Sequence, residues 1–333
     1  MKSNLTTFTF LLLHVAVLGQ KIKGPIKNPM VHDLRIASSG MKTRNNQLIN
    51  SNMKAYKDYK TLQVTLHERV AYVTINHPPL NILDGKLMTD LHNFASEVKG
   101  DVNVRVIVLQ SADKDFFIPH GDMNFVNDIA SFTNLAKDYE GDGQLNPMQK
   151  LHEQWRTLPQ VTIAKLNGFA RGGGAELASA LDMRFGAKGK MGLAQMEVLT
   201  GIIPGAGGTV YLPKLVGRAR AMEIILGADL FDADLAERYG WINRAIPATE
   251  IDEFVSKLAE RIARLDNEVI AATKSAVNAT MGIQTQGLVE ENVLLGLLFS
   301  GENASRKTRA ALEAGAQTRA GEKRLETLLN NIK

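Results

Sequence analysis

The first regular pattern along the chain begins at Leu62, where Val64, Leu66, Val70, Tyr72 and Thr74 take alternate positions on either side of His67-Glu68-Arg69. Period-two alternation around a polar turn predicts a two-stranded hairpin. After the turn signal His77-Pro78-Pro79, Leu87, Leu91, Phe94 and Val98 recur at helical spacing, which predicts an amphipathic helix. Val104 to Leu109 and Val161 to Leu166 are short apolar runs, each followed by an irregular or glycine-bearing segment and then helical sequence. Strands alternating with helices indicate an α/β fold.

The polar stretch 124–150, with Tyr139-Glu140-Gly141-Asp142-Gly143 inside it, reads as a helix and a mobile loop of the kind that frames a pocket. Beyond Glu250 the pattern is wholly helical. Ile251, Phe254, Val255, Leu258 and Ile262 form one stripe, and further helices are expected over 268–280, 286–299 and 305–331. Isolated helices bury little by themselves, so this appendage is expected to serve packing or assembly.

With 333 residues, 44% of them hydrophobic, the chain can bury a large core as one domain or two. It contains no cysteine, which excludes disulfides, a thiolate nucleophile and Cys-ligated metal centres. The net charge of +4 suggests a nucleic-acid partner until its location is considered. Seven of the 39 basic residues and one of the 35 acidic residues fall in residues 1–53, leaving a slightly acidic remainder of 32 and 34. Broad nucleic-acid binding is therefore disfavoured.

That basic extension opens with Lys2 and an apolar run from Phe8 to Gly19 broken by His14, a pattern resembling a signal peptide. The run is short for a membrane span. An organelle-targeting arm, a disordered tail and a true start near Met53 are the alternatives, the last favouring the cytoplasm. The expected organisation is an extension over 1–53, a core over 54–265 and a helical region over 266–333.

In Val161 to Ala178 a strand runs into Gly172-Gly173-Gly174 and then into helix-favouring sequence. Glycines let a ligand approach the main chain, and the first amides of a helix have no internal partner and lie at the positive end of its dipole. Such an amide can hold an oxygen that becomes negative. Glu176, in the first turn, either complements the dipole or does chemistry. A second cluster, Pro204-Gly205-Ala206-Gly207-Gly208-Thr209, follows Glu197. Two carboxylates in unlike surroundings can divide acid and base roles. There is no complete dinucleotide fingerprint or phosphate-loop lysine motif.

The segments Gly168 to Ala178 and Gln195 to Thr209 resemble the two signature segments of the enoyl-CoA hydratase (crotonase) family. Pro79-Leu80-Asn81-Ile82-Leu83 and Phe116 to Met123 look like its two earlier motifs. The resemblance covers roughly residues 62–280 with the motifs in order. It implies a spiral of strand-strand-helix units with C-terminal helices that build a homotrimer or a dimer of trimers.

It further implies an acyl-CoA substrate whose thioester oxygen is held by the amides of Gly121 and Gly173, with Glu176 and Glu197 moving protons. Leu80, Ile82, Pro119, Asp122, Met123, Met196 and Gly205 would join Gly121 and Gly173 in contacting substrate or CoA. Both glutamates together favour hydration of a 2-enoyl-CoA, with no metal or redox cofactor and CoA as part of the substrate. The alternatives are isomerisation, hydrolysis or decarboxylation, an RNA-binding protein of the same fold, and an idle assembly subunit.

Two positions depart from the family pattern. His120 stands where glycine is usual before the first oxyanion donor, and Met196 stands where hydratases commonly have proline. A positive φ at His120 would carry a cost. Its ring would serve local packing or a backbone hydrogen bond, or would contact the substrate.

Overall fold

The computed structural model describes residues 56–333 except Ala136, Asp138, Glu140, Ile283 and Lys333; the leader and early-start expectations for residues 1–53 lie outside the described residues. Strands β1 (Leu62–His67) and β2 (Val70–Ile75) form the expected hairpin, with Leu62 opposite Ile75 and His67 opposite Val70. Glu68 turns the chain with φ 51°. Helix α1 (Gly85–Val98) follows, capped by Asp84, whose side chain accepts from the Lys86 and Leu87 amides. Its face of Leu87, Leu91, Phe94 and Val98 is fully buried, as the spacing predicts.

From β3 (Val106–Ser111) onward the chain alternates between two sheets. β3, β5 (Val161–Leu166), β7 (Met183–Lys188) and β10 (Arg244–Pro247) extend a six-stranded sheet of order β1-β2-β3-β5-β7-β10, parallel from β2 onward. β4 (Phe116–Ile118), β6 (Phe169–Arg171) and β8 (Gly192–Ala194) form a second, smaller parallel sheet, closed by antiparallel β9 (Phe231–Asp232). Each coil of the spiral thus leaves one strand in each sheet. The strands are short and buried, so they lack the alternation that marks a half-exposed strand.

The helices fill the gaps between coils. They are α2 (Ile129–Leu135), α3 (Pro147–Arg156), α4 (Gly173–Ala180), α5 (Gly208–Val216), α6 (Arg218–Gly227), α7 (Ala233–Tyr239) and α8 (Ile251–Ala263). Beyond them lie α9 (Asn267–Thr280), α10 (Thr285–Phe299), α11 (Glu302–Glu313), α12 (Arg319–Glu322) and α13 (Leu325–Asn330). The stretch 124–150 holds the end of a 3-10 turn (Met123–Val126), α2 and the start of α3. Asn146 and Gln149 form a reciprocal capping box there.

The single helix expected over 305–331 is instead three pieces. Gly315 at φ 107° and Gln317 at φ 63° break it, both in the left-handed region that ends helices. That break folds α12 and α13 back onto the core, where Leu325, Leu328 and Leu329 pack with Met196 and Ala228.

Candidate active site

The candidate residues follow the carboxyl ends of β4, β6 and β8, neighbours in the small sheet. After β4, Leu83 bridges to the chain in parallel fashion: its amide donates to His120 O (3.0 Å) and its carbonyl accepts from Asp122 N (3.2 Å). Those bonds use the groups flanking Gly121 and turn its own N–H to the other side. After β6, Gly172 takes φ 46° and ψ −127°, a conformation that favours glycine, and its amide donates to Ala194 O at 3.0 Å.

Gly173 is then the first residue of α4, whose leading amides lack intrahelical acceptors. Neither the Gly121 nor the Gly173 N–H has a hydrogen-bond partner among the described residues. A Cβ on Gly173 would lie 3.6 Å from Gly121 N, so the two main chains run side by side. A positive φ at His120, which would have carried a cost, is not needed, for His120 is not among the residues with φ above zero.

Glu176, in the first turn of α4, is 2% exposed, and its Oε1 accepts from Ala206 N and Gly208 N, both at 2.8 Å. Glu197 opens a 3-10 turn after β8 and is half-buried. Gln195, with its amide turned to donate, places nitrogen 3.2 and 3.1 Å from the two Glu197 oxygens. Burial raises the Glu176 carboxyl well above the usual range, and the Glu197 and Glu291 charges add to it. Burial also pushes Glu197 up to about 7, against its own amide and that of Met196. The two carboxyls differ in their surroundings, one tethered by amides and one facing open space.

That space is a cavity of about 430 Å³. Gly121, Asp122, Met123, Gly173, Glu176, Met196, Glu197 and Gly205 line it, whereas Leu80, Ile82 and Pro119 do not. Leu80 and Pro119 are buried. Much of the remaining wall is apolar: Phe125, Val126, Ile129 and Phe132 from the 124–150 stretch, and Leu295 and Phe299 from α10. Apolar walls with a few convergent polar groups are the usual make-up of a small-molecule site.

Sequence reasoning missed three carboxylates. Glu291 on α10 accepts from Gly207 N (2.7 Å), Thr209 N (2.9 Å), Thr209 Oγ1 (2.6 Å) and Gln149 Nε2 (3.0 Å). Glu322 on α12 meets His120 Nε2 at 3.0 Å, and Glu326 pairs with the fully buried Arg171. A local signal existed only for Glu291, an acid on an otherwise apolar helical stripe with Leu288 and Leu295. Among the described residues no group of three or more His, Asp or Glu side chains is arranged to hold a metal ion, and no helix is long and apolar enough to cross a membrane.

Residues 65–313 match a family model described as Enoyl-CoA hydratase/isomerase. The chain is 30% identical over 259 residues to the crotonyl-CoA hydratase of Syntrophomonas wolfei, covering 77% of this chain and 96% of that protein. It is 31% identical over 246 residues to the (E)-benzylidenesuccinyl-CoA hydratase of Thauera aromatica, covering 73% and 91%. The crystal structure of an enoyl-CoA hydratase candidate from Streptomyces avermitilis superposes with a TM-score of 0.78 at 44% identity, over 82% of this chain and 98% of that one.

Proposed function

Because the chain belongs to the enoyl-CoA hydratase/isomerase family, we propose that it adds water across the double bond of a 2-enoyl-CoA thioester. The observation that carries this assignment is the meeting, in one cavity, of two amides without a partner among the described residues and two carboxyls of unlike surroundings, one buried and one half-buried. The Gly121 and Gly173 amides hold the thioester oxygen. A carboxylate takes a proton from water, the water oxygen bonds to the β carbon, and the double-bond electrons move onto the thioester oxygen.

Fixed amide dipoles stabilise that charge as it develops. The enolate then collapses as a carboxyl delivers a proton to the α carbon. Glu197, open to the cavity, carries the main proton transfer. Glu176, tethered to Ala206 and Gly208, positions the water and shares the acid/base work. Burial holds both carboxyls above their ordinary range, so one of the pair is available as acid while the other is base near neutrality. No metal or redox cofactor is required, and CoA enters as part of the substrate.

The apolar wall suits a hydrocarbon acyl group. Helix α10 supports the proposal of a homotrimer or dimer of trimers. Leu295 and Phe299 face the cavity while Val293, Leu294, Leu297 and Leu298 are 42–69% exposed, an apolar face of the kind that marks an interface.

The test is loss of the conjugated enoyl-thioester absorbance with crotonyl-CoA and with a longer 2-enoyl-CoA, comparing the parent with Glu197→Gln and Glu176→Gln. Hydration that collapses in both variants is expected. A folded parent that binds acyl-CoA yet hydrates neither substrate would redirect the assignment to isomerisation or another reaction of the family.

A further inference from the structure

His120 immediately precedes the proposed oxyanion donor Gly121 and lines the cavity; the residue is 4% exposed, and its ring lies between two acceptors. Nδ1 is 2.6 Å from Gly121 O, and a carbonyl can only accept, so Nδ1 carries a proton. Nε2 is 3.0 Å from Glu322 Oε1. That same oxygen accepts from Gln317 N at 2.8 Å, and Arg171 Nη1 faces the other carboxylate oxygen at 3.8 Å. A carboxylate so placed is ionised and can only accept, so Nε2 carries a proton as well.

We propose that His120 is a resident imidazolium and a positioning residue: Glu322 holds a fixed positive charge beside the oxyanion hole, where it favours ionised Glu197 and the charge that develops on the thioester oxygen. The inference rests on the hydratase assignment for its catalytic consequence and on the hydrogen-bond geometry of the ring for the protonation state.

The charged groups that face the ring come from three elements: Glu322 on α12, Arg171 at the end of β6 and Glu197 after β8. Glu326 acts through Arg171, which it grips with both oxygens. His120, Arg171, Glu322 and Glu326 together make two positive and two negative charges, so the buried cluster closes its own charge. Burial works against charge on His120, but the Glu322 carboxylate and the Gly121 carbonyl outweigh it. Glu322 is correspondingly held below the usual carboxylate range against its own burial, mainly by His120.

Proximity to the base is visible at Gly172. A Cβ there would lie 2.7 Å from Glu197 Oε1 and 3.7 Å from His120 Cβ. The positive ring is accordingly one of the influences that lower Glu197. Because both ring nitrogens are tied, the charge is preorganised and does not reorient during the reaction.

The first experiment is nitrogen NMR of the histidine rings in the ligand-free parent across pH 6–9, with the His120 signal assigned through the backbone. Two protonated ring nitrogens at neutral pH and above are expected; a neutral tautomer at pH 7 would overturn the proposal whether or not the protein hydrates any substrate. The second is Glu322→Gln, which keeps the side-chain shape and removes the charge. His120 should then lose its proton at lower pH, and kcat for the enoyl-CoA should fall about tenfold, less than for loss of a direct oxyanion donor.

The alkaline limb of kcat should move to lower pH while KM stays unchanged, a pattern that a merely structural role would not produce. His120→Gln, which keeps a donor toward Gly121 O without the charge, should show the same loss of kcat. An unchanged kcat and alkaline limb in both variants would sink the catalytic part.

Discussion

Two glycine-rich turns start two helices in this molecule, and their amides meet opposite fates. At Gly172-Gly173-Gly174 the leading amide of α4 has no partner among the described residues, and Gly173 lines the cavity. At Ala206-Gly207-Gly208-Thr209, at the head of α5, four successive amides donate to carboxylates of the same chain: Glu176 takes Ala206 and Gly208, and Glu291 takes Gly207 and Thr209. Both turns are ready-made anion sites by composition and by the helix dipole. The difference lies in which anion is already present. A helix start is available to a ligand only where the fold supplies no carboxylate of its own, and the filled turn in return fixes the Glu176 carboxyl in place.

The largest expected effect belongs to the carboxyl beside the open turn, 2.7 Å from where a Gly172 Cβ would stand. Glu197→Gln should lower kcat for enoyl-CoA hydration by on the order of 10²–10⁴, the range for a positioned acid/base group, with the urea midpoint held or raised. A loss of folding comparable to the loss of turnover would erase the contrast. At the filled turn the balance should reverse. Glu291→Gln sets an amide where the Gly207 and Thr209 donors need an anion, and should cost about 3 kcal/mol in urea unfolding.

Gly172→Ala sharpens the comparison at smaller scale, since its Cβ would meet Glu197 Oε1 at 2.7 Å in a left-handed conformation. It should cost about 1–2 kcal/mol of stability by equilibrium unfolding and reduce turnover out of proportion to that cost. The smallest effect concerns pH. Burial places Glu197 near 7, so kcat/KM should rise as pH passes through about 7 and the carboxyl ionises. Gln195→Met removes the amide that faces both Glu197 oxygens and should move that acid limb upward by less than about one pH unit.

Stability carries the opposite sign. A carboxyl raised in the folded state favours folding most below its unfolded value and loses that contribution as pH climbs to about 7. Urea midpoints measured across pH 4–8 should therefore fall less steeply in Glu197→Gln than in the parent.

Much of the frame was legible in the chain. The hairpin, α1, β5 and both glycine turns carried their own local signals, because alternation, helical spacing and glycine clusters are written within a dozen residues. The small sheet was not legible. Its strands are two or three residues long, too short for any period to register, although they deliver the candidate site. The break at Gly315 lies within charged, helix-favouring sequence that masks it, and it masks equally the return of Glu322 to His120, a contact spanning 202 residues. Partners so distant leave no mark on local pattern. The apolar stripe of α10 was legible as a helix, but nothing local showed that one face meets the cavity while another remains exposed.

The small parallel sheet also acts as a ruler. Adjacent strands in any sheet stand about 4.8 Å apart, and β4, β6 and β8 each present one functional group just past its end, in the order Gly121, Gly173, Glu197. In the proposed reaction the two amides belong to neighbouring strands and the proposed proton carrier to the strand after them. A frame of that pitch suits reactions at a carbon one or two bonds from a polarised carbonyl. Swapping the group on the third tooth would change what is done to that carbon while leaving the grip on the oxygen intact.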